Sequence, residues 1–137
     1  MSYVAHAESF NHNLKVLARD LARQFPNDAV ISRIQKRTVA IIAIDPLMVI
    51  DIAGPRLFAY HDMIYNEGIG ALATFIDYDF SADIQSAEDR EDSEIAAHII
   101  PKVQQALRAV SLEDQRAYWD ILVNLLDDYI EYLAVKK

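Results

Sequence analysis

The fold class of this chain is decided by residues 111–137, which read SLEDQRAYWDILVNLLDDYIEYLAVKK. The large apolar residues of this stretch recur three or four positions apart, which places them on one face of an α-helix. They are Trp119, Leu122, Leu126, Tyr129 and Leu133, with Tyr118, Leu125 and Tyr132 widening the stripe. Ser111 and Asp114 have the spacing of a capping box, which marks the start of a helix. The stretch therefore predicts one amphipathic helix that begins after Ser111.

Two segments near the other end of the chain show the same helical repeat. The first segment carries Phe10, Leu14, Leu17, Leu21 and Phe25. Ser9 or Asn11 is expected to cap this helix, and Pro26 to end it, because proline cannot continue the backbone hydrogen-bond ladder. A second helix is expected to start at Asn27 or Asp28. Its apolar stripe consists of Ile31, Ile34, Ile41 and Ile42.

The middle of the chain contains both start and stop signals. Asp45-Pro46 predicts the start of a third helix, with a capping side chain followed by a proline at the first helical position. Gly54-Pro55 predicts a kink or a break inside that helix. A later helix is expected to begin at Ser93.

Composition supports an all-α fold. The 137 residues are 53% apolar and include 3 Gly and 4 Pro, which leaves little material for the turns of an all-β fold. The β-branched run over residues 39–44 would also suit a strand, but the helical repeat continues into it from Ile31 without a turn signal. We expect a single all-α domain over residues 1–137, built as a bundle of five to seven short helices around one core.

The net charge of −8 is concentrated in residues 77–94, which we call the acidic segment. It holds eight acids and one arginine, which gives −7 there and −1 over the rest of the chain. We expect this segment to be a surface loop. Nonspecific binders of nucleic acid show a basic excess instead, so nucleic acid is not an expected partner.

Several functional classes are excluded by what the sequence lacks. The absence of cysteine excludes disulfides, thiolate metal sites and cysteine nucleophiles. The first residues do not have the pattern of a signal peptide, and no apolar run approaches the length of a membrane span. Nucleophile elbows, phosphate loops and dinucleotide fingerprints are missing. We therefore expect neither an enzyme nor a cofactor, and no secretion by signal peptide.

A calcium site is the alternative function that the acidic segment suggests. Oxygen-bearing side chains occur there at the spacing of an EF-hand loop. The candidate ligands are Asp77, Asp79, Ser81, Asp83 and Glu88. Ala82 stands where such a loop needs glycine for its sharp turn, so a solvated loop or interaction segment is preferred. The four histidines lack the spacing of metal ligands; they are His6, His12, His61 and His98.

Two groups of residues are candidates for protein binding. Lys15, Arg19 and Arg23 recur at four-residue steps and form a predicted basic ridge on the first helix. Arg33, Lys36 and Arg37 extend this ridge. Such a ridge is either a solvated helix face or a docking surface for an acidic partner. Tyr118 and Tyr132 are the second group, because a helix with aromatic residues on more than one face can leave some of them for a partner.

Several short words occur in an order that resembles a group of small helical proteins of large nucleocytoplasmic DNA viruses, including marseillevirus-like, iridovirus-like and phycodnavirus-like ones. The words are Phe10-Asn11, Asp20-Leu21, Phe25-Pro26-Asn27-Asp28, Asp45-Pro46, residues 60–66, and Ser111-Leu112-Glu113 before Trp119. After Asn66 that group tends to carry an acidic pair and two phenylalanines, whereas this chain has Glu67-Gly68-Ile69-Gly70.

The resemblance implies a non-enzymatic accessory or structural protein, such as a minor capsid-associated protein. It also implies a location in the virion or the host cytoplasm, with other virion proteins or copies of the chain as partners. The six cations of residues 1–40 and the acidic segment further predict salt-sensitive association of copies, with Arg19 and Arg23 facing Glu88, Asp89 and Glu91.

Overall fold

The computed structural model describes Ser2 to Asn66, Ile76, and Arg90 to Lys136. These residues contain six α-helices and no strand, which confirms the all-α prediction. The helices are α1 (Tyr3–Gln24), α2 (Ala29–Ile44), α3 (Met48–Phe58), α4 (His61–Asn66), α5 (Arg90–Ala109) and α6 (Leu112–Lys136). With 22 and 25 residues, α1 and α6 are longer than the short helices expected. None of the described helices combines the length and the apolar character that a membrane span requires.

The helix α1 begins earlier than its apolar repeat indicates. Ser2 is its N-cap, and the Ser2 hydroxyl accepts the backbone N–H of Ala5 at 3.3 Å. Ser9 and Asn11, the predicted caps, lie inside the helix and make tertiary contacts. The Ser9 hydroxyl donates to Asp128 at 2.9 Å, and the Asn11 amide donates to the carbonyl oxygen of Pro46 at 2.8 Å. Side chains that cap helices also serve as long-range donors, which explains the error.

The helix α6 is the centre of the bundle and starts where the capping box predicts. The Ser111 hydroxyl accepts the backbone N–H of Asp114 at 3.2 Å. Along its length α6 contacts α1, α3, α4 and α5, and its most extensive contact is with α1. Its buried residues are Trp119, Leu125, Leu126, Tyr129 and Tyr132. A helix that packs against four others buries more than one narrow stripe, so the predicted stripe is only part of its buried surface.

The core consists of two neighbouring clusters along α6. One cluster joins α1, α3 and α6 around Phe10, Ile50 and Tyr132. The other joins α4, α5 and α6 around Ile64, Leu107, Trp119 and Leu126. Leu57 and Leu122 pack against both clusters, which connects them.

The helix α3 runs through Gly54-Pro55 without the break that was one of the two predicted outcomes there. The chain turns instead at Ala59 and Tyr60, before α4. Gly54 is buried against the ring of Tyr129, so this glycine allows the close packing of α3 on α6. Asp45 also acts slightly differently from the prediction. Its carboxylate accepts the N–H of Leu47 at 3.1 Å, and the helix begins at Met48 rather than at the proline.

The helix α5 begins at Arg90, inside the predicted acidic loop. Residues 90–94 are therefore helical, and the predicted start at Ser93 is too late. The helix continues through Pro101, whose exposed position lets the ring project away from the core. The remaining residues of the acidic segment, 77–89, lie outside the described residues.

Candidate interaction surface

The position of α2 is set by Asp28 at its N-terminus. The Asp28 carboxylate accepts the backbone N–H groups of Val30 at 3.0 Å and Ile31 at 3.1 Å, which is the geometry of an N-cap. Ile31 is buried with 2% of its surface exposed and anchors the inner face of the helix. The run over residues 39–44 is helical, as its continued repeat predicts.

Asp28 also connects the turn between α1 and α2 with α5. His98 Nε2 lies 2.8 Å from Asp28 Oδ2, and Lys102 Nζ lies 3.8 Å from the same oxygen. Lys102 Nζ is in addition 5.0 Å from the centre of the Phe25 ring, which is a cation–π distance. The N–H of Ile31 lowers the pKa of Asp28 most, and His98 lowers it further against the opposing effect of burial. The sequence indicates the cap but not its contact with His98, 70 residues away.

Asp28→Asn is expected to lower the Tm at neutral pH, although asparagine caps helices as well as aspartate does. The pKa of Asp28 is lower in the folded protein, so the ionised carboxylate stabilises the fold above its ordinary pKa of about 3.9. This contribution disappears as the pH falls through the folded-state pKa. The Tm difference between the variant and the wild type should therefore shrink as the pH falls below about 4.

Thermal unfolding followed by circular dichroism across this pH range measures the effect. Asp120→Asn is the matched control, because Asp120 is exposed on α6 and has no ion pair among the described residues. This control should leave the Tm almost unchanged at every pH. A Tm difference for Asp28→Asn that stays constant down to pH 2 would show that the charge of Asp28 does not stabilise the fold.

The solvent side of α2 is basic in its first half and apolar in its second. We define the α2 outer face by the exposed residues Arg33, Lys36, Arg37, Ala40 and Ile44. The helix contains no acidic residue, so no neighbour on α2 offsets these cations. Among the described residues, an open groove of about 590 Å³ runs along this helix. It is lined by Ala29, Ser32, Arg33, Lys36, Arg37 and Ala40.

Large apolar side chains continue from the end of α2 onto α3. Ile44, the last residue of α2, is 84% exposed. Met48 is 42% exposed and Ile52 54% exposed, and their four-residue spacing puts them on one face of α3. We call Ile44, Met48 and Ile52 the apolar patch. Single exposed apolar residues are common on proteins, whereas contiguous exposed apolar surface marks interaction sites.

The predicted ridge on α1 is exposed, but two of its three cations already have an acidic neighbour. Arg19 Nε and Arg23 Nη1 each lie 3.8 Å from Asp20 Oδ1. Neither Arg33 nor Lys36 forms an ion pair with any described residue. Arg33 and Lys36 thus lack the acidic neighbour that Arg19 and Arg23 have among the described residues. Lys15 is exposed on α1.

The two predicted surface tyrosines occupy different environments. Tyr118 is partly buried, and its hydroxyl accepts a hydrogen bond from Gln24 at 2.6 Å. It lines a small cavity of about 30 Å³ between α1, α5 and α6, whose walls are almost entirely apolar. Burial raises the pKa of the Tyr118 hydroxyl. Its contacts are with the neighbouring helices of its own chain.

The prediction that Tyr132 is available at the surface is wrong, because its exposed fraction is 0%. Its hydroxyl donates to Asp51 at 2.7 Å and accepts from Lys136 at 2.9 Å, and burial raises its pKa. Its ring meets that of Tyr3 edge to face, with centroids 6.1 Å apart. The packing of α1 and α3 on α6 encloses this side chain, and the repeat of α6 alone does not reveal it.

The candidate calcium ligands Asp77, Asp79, Ser81, Asp83 and Glu88 lie outside the described residues, so calcium binding stays a prediction. Within the described part of the chain, no three His, Cys, Asp or Glu residues are placed to hold a metal ion. No protein-family model, curated protein or solved structure matches the chain. Function is therefore inferred from the chemistry of the surface itself.

Proposed function

We propose that this protein is a non-enzymatic interaction component that binds an acidic protein partner through the α2 outer face and the apolar patch. The observation that carries the proposal is the 84% exposure of Ile44 on the same helix as the exposed cations Arg33 and Lys36. An isoleucine side chain releases about 1.5–3 kcal/mol when it is buried from full exposure. Covering Ile44 therefore provides a favourable free energy that the isolated chain leaves unused.

The two parts of the surface have different roles in binding. Exposed ion pairs contribute only ~0–1 kcal/mol each and are screened by salt, so Arg33 and Lys36 mainly orient an acidic partner. The apolar patch supplies most of the affinity, because apolar burial is not screened. A protein is favoured over nucleic acid as the partner, because binders of nucleic acid show a basic excess and this chain has a net charge of −8.

A more specific form of the proposal is a minor structural or capsid-associated protein of a large DNA virus. Its support is the order of short sequence words from Phe10-Asn11 to Trp119, which resembles that of small viral proteins. Mass spectrometry of purified particles tests this form directly. Peptides of the protein in the particles would support it, whereas their presence in infected cytoplasm alone would leave an accessory role.

Ile44→Glu is expected to abolish capture of the acidic partner while the protein keeps its fold. The substitution places a charge at the centre of the proposed surface, and Ile44 contributes little to the core at 84% exposure. The measurement is affinity capture with purified, tagged protein, together with thermal unfolding of each variant. Leu112→Glu is the matched control, because Leu112 is 60% exposed but lies at the start of α6.

The proposal requires that a partner be retained by the wild type and by Leu112→Glu and be lost with Ile44→Glu. The double variant Arg33→Glu/Lys36→Glu should weaken capture of the same partner, most clearly at low salt. If Ile44→Glu captures every partner that the wild type captures, the α2 outer face is not the binding surface.

A further inference from the structure

We infer that the α2 outer face of one copy binds the acidic segment of a second copy, so that the chain associates with itself through face-to-segment contacts. The inference rests on the proposed function, for which it names the partner. Each copy carries one such face and one such segment. Two copies can therefore close a reciprocal dimer, or successive copies can form a ring or an open chain.

Charge complementarity is the first argument for this partner. The acidic segment has a net charge of −7, which is nearly the whole excess of the chain. The α2 outer face carries Arg33, Lys36 and Arg37 on a helix without a single acid. The strongest negative and the strongest positive parts of the molecule are thus separate in sequence, and a contact between copies brings them together.

The acidic segment and the α2 outer face also resemble each other in combining charged with apolar residues. The acidic segment is not uniformly polar, because Tyr78, Phe80 and Ile84 are interleaved with its acids. The α2 outer face likewise passes from cations into the apolar patch at Ile44. From Arg33 to Ile44 the helix rises about 16 Å, which about five residues of an extended segment span. A short stretch that contains both acids and aromatic residues therefore suffices to cover both halves of the face.

Arg33 and Lys36, two of the three α2 cations, have no acidic partner within the described part of the chain. Arg33 and Lys36 are exposed and form no ion pair with any described residue, whereas Lys102 lies near Asp28 and Lys136 lies near Asp51. An acidic group from another molecule can therefore reach them without breaking an existing ion pair.

Direct pairing of α2 with α2 of another copy is disfavoured, because the face is basic in its first half and apolar in its second. A parallel pair would place Arg33 and Lys36 against the same cations of the partner, which is repulsive. An antiparallel pair would place these cations against the apolar half around Ile44, where they would lose hydration without gaining a counter-charge. The acidic segment avoids both costs.

Sedimentation velocity of the full chain at several concentrations tests the inference. At about 50 mM NaCl we expect dimers or larger species, and at about 500 mM NaCl the dissociation constant should rise at least ~10-fold because ion pairs are screened. A synthetic peptide of residues 77–94 should compete and return the protein to the monomer at low salt. A protein that is monomeric at low salt overturns the inference, as does association that is independent of salt.

Charge-reversal variants identify the two surfaces in contact. Arg33→Glu/Lys36→Glu should be monomeric at low salt, and so should Glu88→Lys/Asp89→Lys/Glu91→Lys. Mixing the two variants should restore association, because the acidic α2 outer face of one variant then meets the basic residues 88–91 of the other. Failure of the mixture to associate, while each variant keeps the wild-type Tm, overturns the proposed contact.

Arg19→Glu/Arg23→Glu is the matched control, because it changes the net charge by the same amount on α1, where Asp20 already lies beside both arginines. It should weaken association less than ~3-fold. An effect as large as that of the α2 reversal would assign the contact to α1 instead. The outcome is separate from that of the proposed function, because a chain that stays monomeric can still capture a different protein through Ile44.

Discussion

Gly54→Ala is expected to lower the free energy of unfolding by about 2–3 kcal/mol. At an ordinary helix position the same change would stabilise by roughly 0.5–1 kcal/mol, because alanine is the better helix former. Here a Cβ would overlap the ring of Tyr129 and come within 2.8 Å of its Cγ. Tyr129 is itself buried between α6 and its neighbours, so the ring has little room to move. The steric cost therefore outweighs the gain in helix propensity.

Urea unfolding of Gly54→Ala measures this change, and the control is the same substitution in a Tyr129→Ala background. Without the ring, the added methyl group meets open space, and Gly54→Ala should be neutral or stabilising there. The substitution should thus destabilise the protein only when the Tyr129 ring is present, which is a coupling between α3 and α6. A stabilising effect of Gly54→Ala in the otherwise wild-type protein would contradict the close contact of these helices.

Leu126→Ala is expected to cost about 3–4 kcal/mol, within the range for fully buried leucines. Leu126 is 0% exposed and packs in the cluster that contains Ile64, Leu107 and Trp119. Its loss leaves a cavity where α4, α5 and α6 meet, and tightly packed neighbours relax only partly into it. A marginally stable domain has about 5–15 kcal/mol in total, so the variant should unfold far below the wild-type Tm.

Leu112→Ala is the matched control for this prediction, since it makes the same change on the same helix at a residue that is 60% exposed. It should alter the free energy of unfolding by less than about 0.5 kcal/mol. Equilibrium urea unfolding measures the stability of both variants. Similar m-values would show that unfolding exposes a similar surface in each, so that the two free energies are comparable. Similar losses of stability in the two variants would mean that Leu126 is not at the centre of a packed core.

Helix starts were predictable wherever the capping residue acts within one turn. Asp28 and Ser111 cap α2 and α6 as the sequence indicates, because their partners lie two or three residues away. The start of α1 was not predictable in this way. Ser9 and Asn11 have side chains suited to capping but donate hydrogen bonds to Asp128 and Pro46, which are distant in sequence.

The candidate surface was predictable in part. The sequence showed that Arg33 and Lys36 extend a basic ridge, and it placed the negative excess in the acidic segment. It favoured Arg19 and Arg23 on α1 as contact residues, and the structure places both beside Asp20. It did not indicate the apolar patch, because an apolar residue outside a helical repeat gives no sign of whether another helix covers it.

The sequence by itself determined that the protein is all-α, where most helices run, and that its charge is divided between two regions. These properties depend on composition and on residues three or four positions apart, which a single helix already contains. Only the tertiary structure decided that Tyr132 is buried, that Gly54 receives the ring of Tyr129, and that Ile44 remains exposed. Each of these outcomes depends on which helix packs against which face, and that choice joins residues that are far apart in the chain.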